Sequence, residues 1–203
     1  MSKTFKWILI TVILVVLIYV GFWIYAIISF AGGFEQNYSK IDLIDNYKKH
    51  TKEIIELRDY FNRIVPKNSC VDIEFKDDNT LSIFHVSLNG IRDDNWNKKI
   101  NSLKTDTLLQ RLSWSREIIA TLKTKIDNAH CISIKNGEPC TIGFQRSGMG
   151  KYYYKIFNKV LNDSLINLYN DGCQYIYFKN NVVLEYGGGA IGSQCFEGYE
   201  QYK

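Results

Sequence analysis

The sequence lacks charge over one long stretch. No Asp, Glu, Lys or Arg occurs in residues 7–30, where the small polar residues are Thr11 and Ser29. A helix of this length rises about 36 Å, which is enough to cross a hydrocarbon core of about 30 Å. The stretch therefore predicts a transmembrane helix that anchors the protein in a lipid bilayer. The predicted segments are a tail at 1–6, a transmembrane helix at 7–30, a hinge at 31–38 and a domain at 39–203.

The rest of the chain lacks a cluster of basic residues. Lys3 and Lys6 precede the apolar stretch, so 23 of the 25 Lys and Arg follow it, together with all 21 Asp and Glu. A surface that binds nucleic acid normally concentrates its basic side chains. The near balance of charge therefore argues against a nucleic acid as partner.

The two N-terminal lysines also predict the orientation of the anchor. Basic residues are enriched on the cytoplasmic side of membrane helices, which places the N-terminus in the cytoplasm and the domain outside the membrane. The predicted location is thus the cell membrane, with a single pass. The alternative is a signal peptide that is cleaved after Ala31. The apolar run is too long for that, because the hydrophobic part of a signal peptide has about 7 to 15 residues.

The five cysteines lack the spacing of a zinc ribbon or of a CxxC pair, which excludes the common structural metal sites. In an oxidising compartment we predict a disulfide between Cys173 and Cys195, because the glycine-rich segment between them can fold back over its own hairpin. A pair between Cys131 and Cys140 is a weaker prediction. The alternative is that all five cysteines are small buried side chains.

Two amphipathic helices are predicted in the domain. Ser39 is a good N-cap residue, and residues 39–65 carry apolar side chains at alternating steps of four and three. This spacing also fits a coiled coil, so a homodimer through residues 43–64 is an alternative that is not favoured. Additional apolar residues widen the face, as expected of a helix packed on its own sheet. The second helix is predicted at residues 107–128, with Thr107 at its start.

Several other segments alternate apolar and polar residues with the two-residue period of strands. Hairpins are predicted around the polar residues 76–79, around residues 136–139, and with Asn180 and Asn181 as a two-residue turn. A bulge is predicted near Ile83 or Phe84. Strands and helices do not alternate regularly, which argues against parallel βαβ units. We therefore predict an α+β fold, with antiparallel hairpins packed against the two amphipathic helices.

Three motifs that would indicate a cofactor or a metal lack their surroundings. Residues 187–192 satisfy GxGxxG, but too few residues follow for the second strand and acidic residue of a dinucleotide site. Residues 147–151 resemble part of a phosphate loop, but Lys151 is not followed by Ser or Thr. His50 has Glu53 nearby but no further ligand at metal-binding spacing. We therefore predict no cofactor, no metal and no catalytic residue.

Tyrosines are concentrated in the last third of the chain. Tyr175 and Tyr177 lie on one face of a predicted strand, and we predict them as a contact surface because tyrosine is enriched at binding surfaces. The alternative is that both rings pack half-buried, since tyrosine is also a good strand former.

The sequence as a whole favours a membrane-anchored protein whose extracytoplasmic domain is a binding or structural module of the cell envelope, with a protein as the expected partner. The alternative is a membrane-tethered hydrolase or thiol enzyme. An enzyme of that kind needs a serine or cysteine within hydrogen-bond reach of His50, His85 or His130. No local catalytic signature supports it, so a binding role is preferred to catalysis.

Overall fold

A computed structural model describes residues 3–30, 38–147, 150–187, 192, 195 and 196. The first helix is long and apolar enough to cross a membrane, and it begins four residues before the predicted span. The predicted hinge lies outside the described residues except for Tyr38. The six helices are α1 (Lys3–Phe30), α2 (Lys40–Lys49), α3 (Thr51–Ile64), α4 (Leu103–Leu112), α5 (Arg116–Asn128) and α6 (Asp163–Leu168).

The strands of the domain form one antiparallel sheet. Their order across the sheet is β3-β2-β1-β5-β6-β7-β9-β8, and β4 pairs with β2 on the same side as β3. The nine strands are β1 (Ser69–Asp77), β2 (Thr80–Leu88), β3 (Ile91–Asp93), β4 (Trp96–Lys99), β5 (Ser133–Lys135), β6 (Cys140–Ser147), β7 (Gly150–Ile156), β8 (Tyr175–Lys179) and β9 (Val182–Gly187).

The hairpins β1-β2, β5-β6 and β8-β9 are the three that the alternation predicts, and the domain is α+β with antiparallel strands. Glu74 pairs with Ile83 and Phe75 pairs with Leu81, so the residue between Leu81 and Ile83 has no partner on β1 and the register shifts there. This irregularity lies next to Ile83, where the sequence predicts a bulge. The alternation of apolar and polar residues predicts neither β3 nor β4, because residues 89–99 are mostly polar. Polar residues are tolerated there because both strands are short and lie at a sheet edge.

The prediction of two helices in the domain was wrong, because each of them is broken into two. His50 separates α2 from α3 with φ −118° and ψ 27°. Ser113 separates α4 from α5 in the left-handed region, at φ 55°. The break after α4 is held by tertiary contacts, since the Trp114 indole donates to Ile64 O at 2.9 Å. The first helix has the predicted N-cap at Ser39, but α4 is capped by Ser102 and so begins before Thr107.

One hydrophobic core lies between α2–α5 and one face of the sheet. Apolar residues of β1 and β2 alternate into it, as the two-residue period requires. The heptad positions of α2 and α3 are buried in the same core, so the face that would form the alternative coiled-coil dimer is covered by the domain's own sheet. The buried heptad residues are Leu43, Tyr47, Ile54, Leu57 and Phe61.

The hydroxyl of Tyr154 ties the sheet to the first helix pair. It donates to Leu43 O at 2.8 Å and accepts from Asn46 Nδ2 at 3.0 Å, while the residue itself is 0% exposed. Removal of the hydroxyl leaves both partners with one bond fewer inside the core, where water cannot replace it.

We expect Tyr154→Phe to lower the free energy of unfolding of the domain by about 1–3 kcal/mol, because buried polar groups lose a partner. Tyr177→Phe is the matched control, since this residue is half-buried and packs outside this core, and its expected effect is within about 0.5 kcal/mol. Chemical denaturation of the full chain in detergent measures both. Equal losses in the two variants would contradict the role of the Tyr154 bonds.

Candidate functional site: the open face of the sheet

The face of the sheet opposite α2–α5 is here called the open face. Side chains that point away from the core on neighbouring strands form rows across it, because partners in the ladder share a face. One row runs from His85 through Asp72, Lys135 and Thr141 to Lys155. The next row contains Ile83, Glu74, Ser133, Gly143, Tyr153 and Glu185. The middle of the open face is therefore charged and polar, unlike the core face.

Three charged side chains are joined on this face. Lys151 on β7 donates from Nζ to Glu74 Oε2 on β1 at 2.6 Å. Arg146 on β6 donates to the two oxygens of the same carboxylate at 2.9 and 3.0 Å. The side chains of Glu74 and Lys151 are only 2% and 5% exposed. Lys151 also donates to Ser133 Oγ on β5, so this network connects four adjacent strands.

Gly143 makes this network sterically feasible. A Cβ at that position would lie 2.2 Å from Lys151 Cε and 2.2 Å from Ser133 Oγ. Since real side chains do not approach so closely, the Lys151 side chain can cross β6 only where the intervening residue has no side chain. A glycine between Ser133 and Tyr153 in the row is therefore required by the ion pair.

Two pockets lie side by side on the open face. One has a volume of about 260 Å³ and the other about 250 Å³, and Asp72 and Lys135 line both of them. The first is completed by residues of β1, β2 and β3, and the second by residues of β2, β5, β6, β7 and β9. The further lining residues that the argument uses are Cys70, His85, Ser87 and Arg92 in the first pocket and Lys151, Tyr153, Lys155 and Glu185 in the second.

Most charges around the pockets are paired. Lys155 Nζ lies 3.0 Å from Glu185 Oε2, and Arg92 Nε lies 2.6 Å from Asp94 Oδ1. Asp72 is partly buried, and burial raises the pKa of its carboxyl despite the opposing charge of Lys151. In the part of the chain that the structure describes, Asp72 makes no hydrogen bond and no salt bridge.

The predicted contact residues Tyr175 and Tyr177 lie at one end of the open face. Both are half-buried and, like Leu165 and Ile166 of α6, pack against a small apolar cluster, and the Tyr169 ring meets Tyr175 edge-on at 5.3 Å. Their backbone N–H groups, on the outer edge of β8, donate to the side chains of Asp171 and Asn170. The outer N–H groups of Tyr175 and Tyr177 therefore already have acceptors. The middle of the open face is the more accessible surface.

The five cysteines fall into three environments. Cys173 and Cys195 form a disulfide, the pair predicted from the sequence. Cys131 and Cys140, the weaker predicted pair, are free and buried, and burial raises the pKa of both thiols, that of Cys140 to about 12. Cys70 is free and exposed on the open face. It is therefore the cysteine that reagents in solution can reach.

The three histidines occupy two places. His50 and His130 stack on each other at 4.2 Å between helix ends, remote in the fold from the pockets. His85 lies on the open face with Nδ1 3.5 Å from Asp94 Oδ1, and its Nε2 is buried without a hydrogen-bond partner. Among the described residues no group of three or more His, Cys, Asp and Glu could hold a metal ion.

The sequence prediction missed the pockets and the network beneath them. Asp72, Glu74 and Lys135 look like ordinary solvent-facing residues of alternating strands, and Lys151 is 77 residues from Glu74 in the chain. The one available signal was Gly143 in the second strand of the hairpin predicted around residues 136–139, because a glycine inside a strand often marks a close approach of another group.

The Glu74 network yields a stability prediction. Glu74→Gln leaves Lys151 buried without its counter-charge, so we expect a loss of about 3–5 kcal/mol in the free energy of unfolding. Asp127→Asn, which removes an exposed partner of Lys123, is the control and should cost less than about 1 kcal/mol. Denaturation of the full-length variants in detergent compares the two, and similar small losses would contradict the network's importance.

The same variant predicts a pH dependence. Burial opposes ionisation of Glu74, but Lys151 and Arg146 outweigh it and hold the pKa of this carboxyl below its ordinary value of 4.5. A carboxyl with a lowered pKa in the folded state stabilises the fold above the unfolded-state pKa, and that contribution is lost as the pH falls through the folded-state pKa. The stability difference between the wild type and Glu74→Gln should therefore be constant at neutral pH and shrink below about pH 4.5.

Comparison with known proteins adds no relative. The chain matches no protein-family model, no curated protein and no solved structure. A function for this chain therefore has to follow from the chemistry of its own residues.

Proposed function

We propose that this protein is a single-pass membrane protein whose extracytoplasmic domain is a binding module of the cell envelope, and that the open face is its binding surface. The observation that carries the proposal is the pair of adjoining pockets that share Asp72 and Lys135. Concave sites with a few placed polar groups are the usual form of small-ligand sites, and each of these pockets is slightly smaller than the usual range of about 300–1,000 Å³.

The composition of the open face supports a binding role. A sheet face that contacts only solvent needs no buried charged side chain. On the open face, however, Glu74 and Lys151 are almost fully buried. Burial of charged groups is costly unless they are paired, and pairing them fixes the surrounding side chains. The network therefore gives the second pocket a rigid floor, which is the arrangement that selective binding needs.

Two features support the proposed location. The helix α1 is apolar and long enough for a bilayer, and all of its described side chains are exposed or partly exposed, as expected of a surface that faces lipid. The disulfide between Cys173 and Cys195 favours an oxidising compartment, because disulfides are rare in the cytosol. Together with Lys3 and Lys6 before the apolar run, these features favour an external domain.

A thiol enzyme is the second candidate, and one observation favours it. Cys70 and His85 line the same pocket, and Asp94 lies beside Nδ1 of the His85 imidazole. In a catalytic triad, the cysteine is the nucleophile, the histidine is the base and the aspartate orients the histidine. His85 Nε2 has no hydrogen-bond partner among the described residues, so the bond between thiol and imidazole is not formed. Binding is the preferred function for this reason.

Cys70 provides a test of the orientation. A membrane-impermeant maleimide added to intact cells or spheroplasts should label the full-length protein, because Cys70 is the exposed free thiol and the domain is proposed to lie outside. Cys70→Ser is the control and should abolish labelling, since Cys131 and Cys140 are buried. Labelling of Cys70 only after permeabilisation of the cytoplasmic membrane would reverse the proposed topology.

A photo-reactive residue tests the binding surface. Trp96 is exposed on the open face beside His85, so its replacement by benzoylphenylalanine keeps an aromatic side chain at that place. Lys52, which is exposed on α3 on the opposite side of the domain, is the control position. Irradiation in cells should give an adduct from position 96 and none from position 52, either as a protein-sized band or as a small increment in intact mass. Equal adducts from both positions, or none from position 96, would contradict the proposal.

A further inference from the structure

Two charges on the open face differ from their neighbours. Asp72 on β1 and Lys135 on β5 are direct partners in the strand register. Even so, neither side chain forms a salt bridge or a hydrogen bond within the described ranges of the chain. The other charged groups that line the pockets, or lie beneath them, are paired with one another. These pairs are Glu74 with Lys151 and Arg146, Lys155 with Glu185, and Arg92 with Asp94.

The neighbouring pairs restrict what Asp72 can contact. Of the lysines near Asp72, Lys151 is held by Glu74, and the Lys135 side chain is exposed rather than folded onto Asp72. A partly buried carboxylate without a hydrogen-bond donor costs folding free energy, and burial accordingly raises the pKa of the Asp72 carboxyl. A carboxyl group whose pKa is shifted by burial in a concave site is a candidate for contact with a ligand.

The place of the two residues adds a geometric condition. Both pockets are lined by Asp72 and by Lys135, so these side chains stand at the boundary between them. Opposed residues on neighbouring strands have Cβ atoms about 4.5–5.5 Å apart. Because the two side chains begin this close together, a ligand with a cation and an anion only a few ångströms apart can meet both charges, in the polarity opposite to that of the protein.

We propose that the boundary between the two pockets binds a free α-amino acid, with its ammonium group at Asp72 and its carboxylate at Lys135. The ammonium donates to the Asp72 carboxylate, and the carboxylate accepts from Lys135 Nζ. Each contact pairs a charge that the free protein leaves unpaired. The proposal rests on the proposed binding function of the open face and adds the class of ligand to it.

The test uses the full-length protein in detergent and each of the twenty L-amino acids as a probe. The first measurement is the shift in the thermal midpoint, followed by calorimetric titration of any amino acid that raises it. The two best amino acids are then compared with their N-acetyl derivatives, which lack the ammonium group, and with their amides, which lack the carboxylate. Each analogue should bind the wild-type protein at least roughly tenfold more weakly, because each loses one charged hydrogen bond.

Variants assign the two contacts. Asp72→Asn and Lys135→Gln should each weaken binding of the amino acid by roughly tenfold or more. Asp72→Asn should leave the affinity for the N-acetyl analogue unchanged, because that analogue has no ammonium group. Lys135→Gln should leave the affinity for the amide unchanged, because the amide has no carboxylate. Asp45→Asn and Lys48→Gln are the matched controls, since that pair is exposed on α2. Neither control should alter binding. The analogue series on the wild type remains informative if a variant does not fold.

Three results would overturn the proposal. They are the absence of a saturable shift with any amino acid up to about 10 mM, equally tight binding of the analogues, and full affinity in both open-face variants. Any of these together with an adduct from position 96 would refute the amino acid as ligand and leave the binding surface in place. The absence of both the shift and the adduct would refute the binding function itself.

Discussion

The pairing of Glu74 with Lys151 is the interaction on which the open face depends. Both side chains are almost fully buried, so each needs the other to offset the loss of hydration. Because the two residues lie on β1 and β7, the pair requires β5 and β6 between them to keep one register. It also requires a glycine at position 143, since any side chain there would occupy the path of the lysine. A single ion pair thus constrains four strands and one residue type.

This constraint shapes the chemistry of the surface above it. Lys151 and Arg146 pair with Glu74, and Lys155 pairs with Glu185. Lys135 is the lysine of the second pocket that has no such partner among the described residues. Asp72 and Lys135 are left at the boundary of the pockets with their charges available. A surface of fixed pairs surrounding two unpaired charges has little reorganisation to undergo when a ligand arrives, which favours selective binding.

The distribution of covering elements explains why binding is assigned to the middle of this face. Helices α2–α5 bury the opposite face of the sheet, and α6 covers the end where Tyr175 and Tyr177 lie. The outer edge of β8 is closed by Asn170 and Asp171, so strand addition there has no free donors at Tyr175 and Tyr177. Tyr175 and Tyr177, which the sequence predicts as a contact surface, are half-buried at this end of the face, and the charged centre is not covered by a helix.

Local signals in the sequence predicted much of the architecture. The two-residue period identified three hairpins, and the N-cap at Ser39 was correct because capping depends on residues adjacent in the chain. The helix breaks at His50 and Ser113 were not predicted, because both segments keep an apolar period through the break. The contact that holds the second break, from Trp114 to Ile64, joins residues far apart in the chain.

The sequence by itself determined the apolar helix, the α+β class, the antiparallel hairpins and the disulfide pair. Each of these follows from composition, period or spacing within a short stretch. Only the tertiary structure decided which charges meet. Asp72, Glu74, Ser133, Lys135 and Lys151 become neighbours through strand register across the sheet, and a register shift of one residue would send each of them to the other face. The physical reason is that the ladder joins residues by position in the sheet, and that position depends on pairings between distant segments.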